Sequence, residues 1–432
     1  MKTADVILNI LTGSGLAMAV FGCGVVLSVR LRAAADPKKL IKALRGGSGD
    51  MPPAKAMCVA LAGTLGVGNI AGVASAISIG GAGAVFWMWV SAIFAMVIKY
   101  AETLLALKHR RRSDGWHGGA FFYMQDRGTK PSKLAARIFA LLCLSASLTI
   151  GSSIQSNAAA TCLNKELGVD TRLCGVLFGI GALAVISGGF GKIADFIVTA
   201  VPAASIGYTL ISFYIIFTNI SYLPGVIGEI ISGAVGAEAF AGGITGFLTS
   251  KALSLGVTRG IVSNEAGCGT APIAHSSSDV KEPAAQGVFG MLEVFIDTIL
   301  LCSLTAFVVL IAKARGLVLP TDGMEAAIAA FGEFLPFSGI FLSASVTLFA
   351  FATVICWFYY GSESLRFLNC PKGLYRFVFA AATAVGAFSS GGVLWRFSDL
   401  TIDAMTLLNL FYVMRYLPEI KRETDSYFGK DG

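Results

Sequence analysis

Charge is scarce in this chain. Only 14% of its 432 residues are Asp, Glu, Lys or Arg, against 55% that are hydrophobic. Soluble domains carry about 25% charged residues, so a single core under a solvated surface is excluded. Histidine is rarer still. His109, His117 and His275 keep no metal-ligand spacing and all read as lying near loops, with no nucleophile–base set beside them. Neither a transition-metal centre nor an intramembrane enzyme is indicated. Short alternating segments of about ten residues are also missing, which excludes a transmembrane β-barrel.

In their place, apolar stretches recur from end to end. At about twenty residues or more each, they make the chain an all-α polytopic membrane protein. Hydrophobic period and polar punctuation give eleven spans, approximately 6–29, 55–82, 84–107, 133–163, 172–189, 193–219, 244–275, 286–313, 336–367, 373–390 and 394–417. The first is longer than the apolar core of a secretory signal, and its basic flank follows rather than precedes it, so it reads as a retained helix.

Lysine and arginine concentrate in "RLRAAADPKKLIKALR" (30–45) and "KHRRRSD" (108–114). Such clusters mark cytoplasmic loops. The loops at 108–132, 190–192, 276–285 and 368–372 then fall inside with the C-terminal tail, and the N-terminus lies outside. This loop bias accounts for the net charge of +7 without a nucleic-acid partner. Most of the nine cysteines sit in apolar runs, where a thiol behaves as a small hydrophobe. Cys162 and Cys174 flank a polar loop and form the candidate disulfide.

Setting aside residues 1–54, a peripheral first helix and cytoplasmic loop, ten spans remain. They divide into a first five-helix repeat at 55–220 and a second at 244–418, followed by a cytoplasmic tail at 419–432. The connecting segment at 221–243 includes "PGVIGEIISGAVGAEAFAGG", rich in glycine, with Glu229 and Glu238. It reads as an external helix or re-entrant piece, or else as the outer half of the seventh span. Five is odd, so the second repeat crosses the membrane with opposite orientation. That is the arithmetic of an inverted repeat.

Each repeat opens on an interruption. The first is "GTLGVGNIAG" (63–72) and the second "GVTRGIVSNEAGCGTAP" (256–272). The first is not a nucleotide loop: it reads G-x-G-x-x-x-G, with no strand before it and no distal acidic partner. Gly68 and Gly72 make a G-x-x-x-G packing pair, but packing leaves Thr64 and Asn69 unexplained. A broken helix explains both. Unwound backbone in hydrocarbon needs polar partners, and half-helix ends offer amides to an anion and carbonyls to a cation. In the second interruption Arg259, Asn264 and Glu265 crowd around Gly260, Gly267 and Gly269. Charges at such depth are functional by default. Arg259 and Glu265 read as a gating pair, with a purely structural ion pair as the alternative.

The stretches "GVGNIAGVASAISIGGAGAVFWMW" and "GVTRGIVSNEAGCGTAPIAH", with "FAFATVICWFYYG" at 349–361, resemble the alanine or glycine:cation symporters over nearly the whole chain. The resemblance implies about eleven transmembrane helices, a LeuT-type 5+5 inverted repeat with two broken helices, and sodium-coupled uptake of a small neutral amino acid across a bacterial inner membrane. It implies that Thr64, Gly66, Gly68 and Asn69 line the first break and hold the substrate carboxylate. Val262, Ser263, Asn264 and Ala266 then meet its amino group and side chain. Gln155, in "GSSIQSNAAA", is a polar contact across the pocket or a bond to a neighbouring helix. Thr353 and Trp357 stand one helical turn apart and face one site, unless the hydroxyl bonds its own backbone and the indole only packs.

For the cation, the resemblance implies backbone carbonyls at Ala62 and Leu65 with the Thr353 hydroxyl, hard oxygens suited to sodium. Sodium is the coupling ion, and no other cofactor is implied. No carboxylate is expected there, which leans against a proton relay. Val262 stands where the family commonly has phenylalanine, and Cys268 where it has leucine, so the pocket is enlarged at 262. A proton- or other cation-coupled carrier of a different small zwitterion is the alternative, and a channel is a more distant one.

Overall fold

The computed structural model describes residues 15–31, 40, 41, 44, 51–234, 251–389 and 391–429. The chain runs α1 (Gly15–Arg30), α2 (Pro53–Thr64), a 3₁₀ turn (Val67–Asn69), α3 (Ala71–Gly80) and α4 (Gly83–Lys108). A short hairpin, β1 (Arg111–Arg112) and β2 (Trp116–His117), leads to α5 (Ala120–Asp126). Next come α6 (Lys130–Leu148), a π-helical stretch (Thr149–Ser153), α7 (Ile154–Leu167), α8 (Thr171–Ile186), α9 (Gly189–Thr218) and α10 (Leu223–Ala234). The second half holds α11 (Lys251–Asn264), α12 (Ala271–His275), α13 (Pro283–Val294), a π-helical stretch (Phe295–Cys302) and α14 (Ser303–Ala314). It ends with α15 (Gly323–Gly332), α16 (Ser338–Phe367), α17 (Tyr375–Gly386), α18 (Gly391–Arg415) and α19 (Leu417–Gly429).

Each of the eleven expected spans meets a helix or a broken pair of helices among the described residues. Five continuous helices are long and apolar enough to cross a membrane: Gly83–Lys108, Lys130–Leu167, Gly189–Thr218, Pro283–Ala314 and Ser338–Phe367. The bent pair α2 and α3 makes a sixth.

Local chemistry starts these helices where the sequence permits. Thr129 Oγ1 caps α6 by accepting from the Ser132 amide at 3.3 Å, and Asp170 caps α8 through the amides of Arg172 and Leu173. Pro53, Pro131 and Pro283 occupy first turns, where the missing N–H is no loss. The outside of the bundle is apolar in rows. Leu173, Leu177 and Ile180 on α8, and Ile206, Leu210, Phe213 and Phe217 on α9, are all exposed. They recur at three- and four-residue steps, so each helix turns one stripe to lipid.

Small residues set the closest packing. A Cβ at Gly175 would lie 2.3 Å from Ala384 O, and one at Gly179 2.9 Å from Ala380 O. The close seam of the G-x-x-x-G type therefore joins α8 to α17. Gly72 of the opening motif has only the Arg259 side chain near it, at 4.0 Å.

Several connections differ from the sequence reading. Cys162 and Cys174 are both free thiols, and no bridge joins them. In the 224–243 segment a helix, α10, covers Leu223–Ala234 and lies against α4, with Trp87 Nε1 donating to Ala234 O at 3.2 Å. The rest of that segment lies outside the described residues. The tail is a helix, α19, fixed by a 3.0 Å hydrogen bond between Tyr100 Oη and Thr424 Oγ1. The loop after α14 holds α15, whose Gly323 seats on Ala71 of α3.

Candidate substrate and cation site

The first break lies between α2 and α3, whose axes differ by 66°. Gly66 is extended there (φ −131°, ψ −151°) and the helix resumes as a 3₁₀ turn. Unwinding frees carbonyls, and two of them meet one hydroxyl of α16 that also reaches a carbonyl of its own helix. Thr353 Oγ1 lies 2.8 Å from Ala62 O, 3.2 Å from Leu65 O and 3.0 Å from Phe349 O. A hydroxyl has one proton to give, so it serves one of the three. The others form, with the hydroxyl oxygen, a set of hard oxygens of the kind that takes a small cation. Trp357, one turn on, donates from Nε1 to Gly63 O at 3.3 Å and is buried.

The amides of this break have side-chain partners. Gly66 N–H donates to Asn69 Oδ1 at 3.2 Å, and Val67 N–H donates to Gln155 Oε1 at 3.2 Å. The Gln155 amide donates in turn to Ile150 O at 3.1 Å, within the π-helical bend between α6 and α7. Thr64 Oγ1 reaches only Leu61 O of its own helix, at 3.2 Å. Gly68 lies against the second break: a Cβ there would be 3.4 Å from Ser263 Cα.

The second break runs from Glu265 to Thr270, between α11 and α12. Glu265 (φ 53°), Gly267 (φ 82°) and Gly269 (φ 77°) are all left-handed, a conformation that costs a non-glycine residue and recurs at functional sites. The freed amides of Gly267 and Gly269 donate to the two carboxylate oxygens of Glu102, at 3.2 and 3.1 Å. Asn409 Nδ2 donates to the same carboxylate at 2.7 Å and to Gly267 O at 2.8 Å. The chain thus supplies its own anion to the positive end of this half-helix. Asn264 folds over the break, accepting from Ala266 N–H at 2.9 Å and donating to Thr298 Oγ1 at 3.0 Å. Val262 is half-buried on the preceding turn.

The structure brings Ala62, Leu65, Gly66, Asn69, Gln155, Thr353 and Trp357 around the first break, and Ser263, Asn264 and Ala266 around the second. It does not join Arg259 to Glu265. Arg259 lies 3.6 Å from Asp399 of α18, and its guanidinium sits over the Trp395 ring at 5.6 Å. Glu265 is buried and accepts from Thr270 Oγ1. Six helical residues turn through about 600°, which leaves the two on different faces, and the helix has ended before Glu265.

Asp297 is absent from the sequence reading, as are Lys99, Glu102 and Glu293. Asp297, on the π-helical stretch, is fully buried and bonds both breaks: Asn69 Nδ2 donates to Oδ1 at 2.7 Å, and Ser263 Oγ donates to Oδ2 at 2.9 Å. Thr298 Oγ1 donates to Oδ2 as well, at 2.8 Å. A carboxylate therefore stands between the two breaks, and its hydrogen bonds go to Asn69, Ser263 and Thr298 rather than to the oxygens at Ala62, Leu65 and Thr353. Behind it Lys99 Nζ lies 3.7 Å from Glu102 and 3.6 Å from Glu293. His275, read as a loop residue, is fully buried and pairs with Glu293 at 2.7 Å. The available signal was charge inside apolar runs: Lys99 with Glu102, and Glu293 with Asp297, at helical spacing. Arg259 also lines a cavity of about 220 Å³ that reaches Val67 of the first break and Asp322 before α15.

Two broken helices that meet inside a helical bundle, one with converging carbonyls, define a secondary transporter of the LeuT fold. The solved structure of MhsT in complex with L-phenylalanine matches with a TM-score of 0.62, over 84% of this chain and 88% of that one, at 13% identity. A substrate-bound, outward-open Na⁺-coupled sialic acid symporter matches with a TM-score of 0.52, over 95% and 84%, at 14% identity. Sequence comparison narrows the class. The family described as "Sodium:alanine symporter family" matches residues 1–431. The sodium/alanine symporter AgcS of Methanococcus maripaludis is 35% identical over 389 residues, covering 88% of this chain and 84% of that protein. The probable sodium/glutamine symporter GlnT of Bacillus subtilis is 32% identical over 391 residues, covering 87% and 79%. The chain belongs to the sodium:alanine symporter family: it is an integral membrane, cation-coupled amino-acid symporter and not an enzyme.

Proposed function

We propose that this symporter imports a small neutral amino acid with sodium by alternating access. The observation that carries the reading is the convergence of Ala62 O and Leu65 O on Thr353 Oγ1 at the bend of the first break. A sodium ion among these oxygens holds α2 against α16, and so fixes the arrangement that accepts substrate. Cation and substrate then favour one another's binding, as linkage requires. The substrate lies between the breaks. Its carboxylate takes the backbone at Thr64, Gly66, Gly68 and Asn69, displacing the internal partners of those amides. Its amino group and side chain face Val262, Ser263, Asn264 and Ala266, with Gln155 and Trp357 closing the pocket.

The half-buried valine at 262 favours a side chain somewhat larger than a methyl. The named substrates of the relatives bracket that size, alanine with a methyl for AgcS and the longer glutamine for GlnT. Arg259 gates the side on which α15 lies, with Asp399 and Trp395 as its partners. The repeats are 55–220 and 244–418, and the positive loops set the N-terminus outside and the C-terminus in the cytoplasm.

The test is a binding screen of amino acids on the purified protein, with and without sodium. Sodium-dependent binding of small neutral amino acids is expected, and no binding under any cation condition sinks the reading. Asp297 favours a second reading, proton coupling, because it is a buried carboxylate bonded to both breaks with only neutral donors. Uptake into liposomes that follows a pH gradient and ignores a sodium gradient selects that reading.

A further inference from the structure

A groove of about 830 Å³ opens beside the start of α6, and none of its lining side chains is acidic. Its basic residues are Arg111, Lys133, Arg137 and Arg366, with His117 beside them bonded to Glu363 and Asp114. Two of them already have partners: Arg111 pairs with Asp126, and Arg366 lies 2.7 Å from Asp114. Lys133 and Arg137 are exposed and form no ion pair among the described residues. Two uncompensated cations therefore face one concave surface.

The position of that surface identifies what it holds. Lys133, Arg137 and Leu141 follow one another at four-residue steps, so they form one row along α6. At 1.5 Å per residue the row is about 12 Å long. Leu141 at its inner end is exposed (55%), as are Ile138 (44%) one turn before it and Leu134 (59%) next to Lys133. Exposed leucine and isoleucine on a membrane span face acyl chains. The row thus passes from cations to hydrocarbon in the order of a phospholipid read from headgroup to tail. Across the groove Phe122 and Phe367 meet edge to face at 5.4 Å and form an apolar wall. A soluble anion has no use for that hydrocarbon end. Basic concavities between helices at a membrane boundary are suited to anionic lipid headgroups.

We propose that this groove is a binding site for an anionic phospholipid, with Lys133 and Arg137 holding its phosphate and Leu141 meeting its acyl chain. The site is separate from the two breaks, and it does not depend on which amino acid or cation is carried.

The test uses the full-length protein purified in a neutral detergent. Phosphatidylglycerol, phosphatidylcholine or inorganic phosphate is added, and bound lipid is counted by native mass spectrometry alongside the thermal unfolding temperature. Phosphatidylglycerol is expected to give a retained adduct and a higher unfolding temperature, and the other two are not. Lys133→Gln and Arg137→Gln should each weaken binding about fivefold, the worth of one basic residue at a membrane surface. The charge-keeping pair Lys133→Arg with Arg137→Lys should bind as wild type, which separates lost charge from lost folding. Equal retention of phosphatidylcholine, equal protection by inorganic phosphate, or unchanged phosphatidylglycerol binding by the double glutamine variant each overturns the proposal.

Discussion

Asn69 and Asp297 stand 228 positions apart in sequence, and the amide of the first donates to the carboxylate of the second at 2.7 Å. Because Asp297 also accepts from Ser263, the two broken helices share one carboxylate. Asp297→Asn keeps the shape: its amide oxygen still accepts from Asn69, and its NH₂ meets the Ser263 and Thr298 hydroxyls, which can both turn to accept. Charge is what is lost. Uptake by Asp297→Asn in liposomes should fall about tenfold or more while the unfolding temperature stays near wild type, since a hydrogen bond to a charged group is worth about 1.5–3 kcal/mol. Wild-type uptake in this variant would show that the carboxylate is dispensable.

Thr353 makes a sharper test of the cation. Thr353→Val conserves volume and removes the side-chain oxygen that faces Ala62 O and Leu65 O. The sodium concentration for half-maximal uptake should rise about tenfold, the equivalent of roughly 1.4 kcal/mol from one lost ligand. Thr353→Ser should restore it. A sodium dependence unchanged in Thr353→Val places the ion elsewhere.

Legibility in the sequence followed the reach of each interaction. The spans and both breaks were readable because hydrophobic period and glycine punctuation are local. Ala62, Leu65 and Thr353 came through the family resemblance and lie together in space. The pairing of Arg259 is not legible locally because its partner, Asp399, is on a helix that arrives 140 residues later. Asp297 and Glu102 are hard to read because the charges near them in sequence, Glu293 and Lys99, suggest local pairs, whereas the breaks they bond lie on other helices. The bridge between Cys162 and Cys174 failed for a related reason. Both thiols are buried, Cys162 in the main core and Cys174 beside Ala387, the residue that follows α17.

Glu102 supports the second break rather than the substrate. Its carboxylate accepts from Gly267 N–H, Gly269 N–H and Asn409, all in the interior. A glutamine presents one oxygen and one NH₂, so a buried donor faces a donor. That conflict costs about 1–3 kcal/mol for each unsatisfied group. Glu102→Gln should lower the unfolding temperature measurably in detergent. An unfolding temperature equal to wild type means that the two amides find other partners.

A cluster around the hairpin predicts a pH dependence of stability. His117 of the hairpin bonds Glu363 Oε2 of α16 through Nδ1 at 2.7 Å and Asp114 Oδ1 through Nε2 at 2.8 Å. The hydrogen bond to Glu363 is the main cause that raises the imidazole above its ordinary value of 6.5, and burial opposes it. Asp114 is held well below the usual carboxylate range, chiefly by its hydrogen bonds from Arg366. A group whose folded value is raised contributes stability that is complete below its unfolded value and is lost as pH rises through the folded one. The tie between hairpin and α16 should therefore be whole below pH 6.5 and weaken above it. Thermal unfolding measured from about pH 6 to about pH 8.5 should move to lower temperature in the wild type, and His117→Gln should flatten that slope. Because Arg366 stays bonded to Asp114 at both ends of the range, the hairpin remains attached and the loss is partial. A wild-type unfolding temperature that rises across this window would reverse the sign and assign the imidazole a folded value below 6.5.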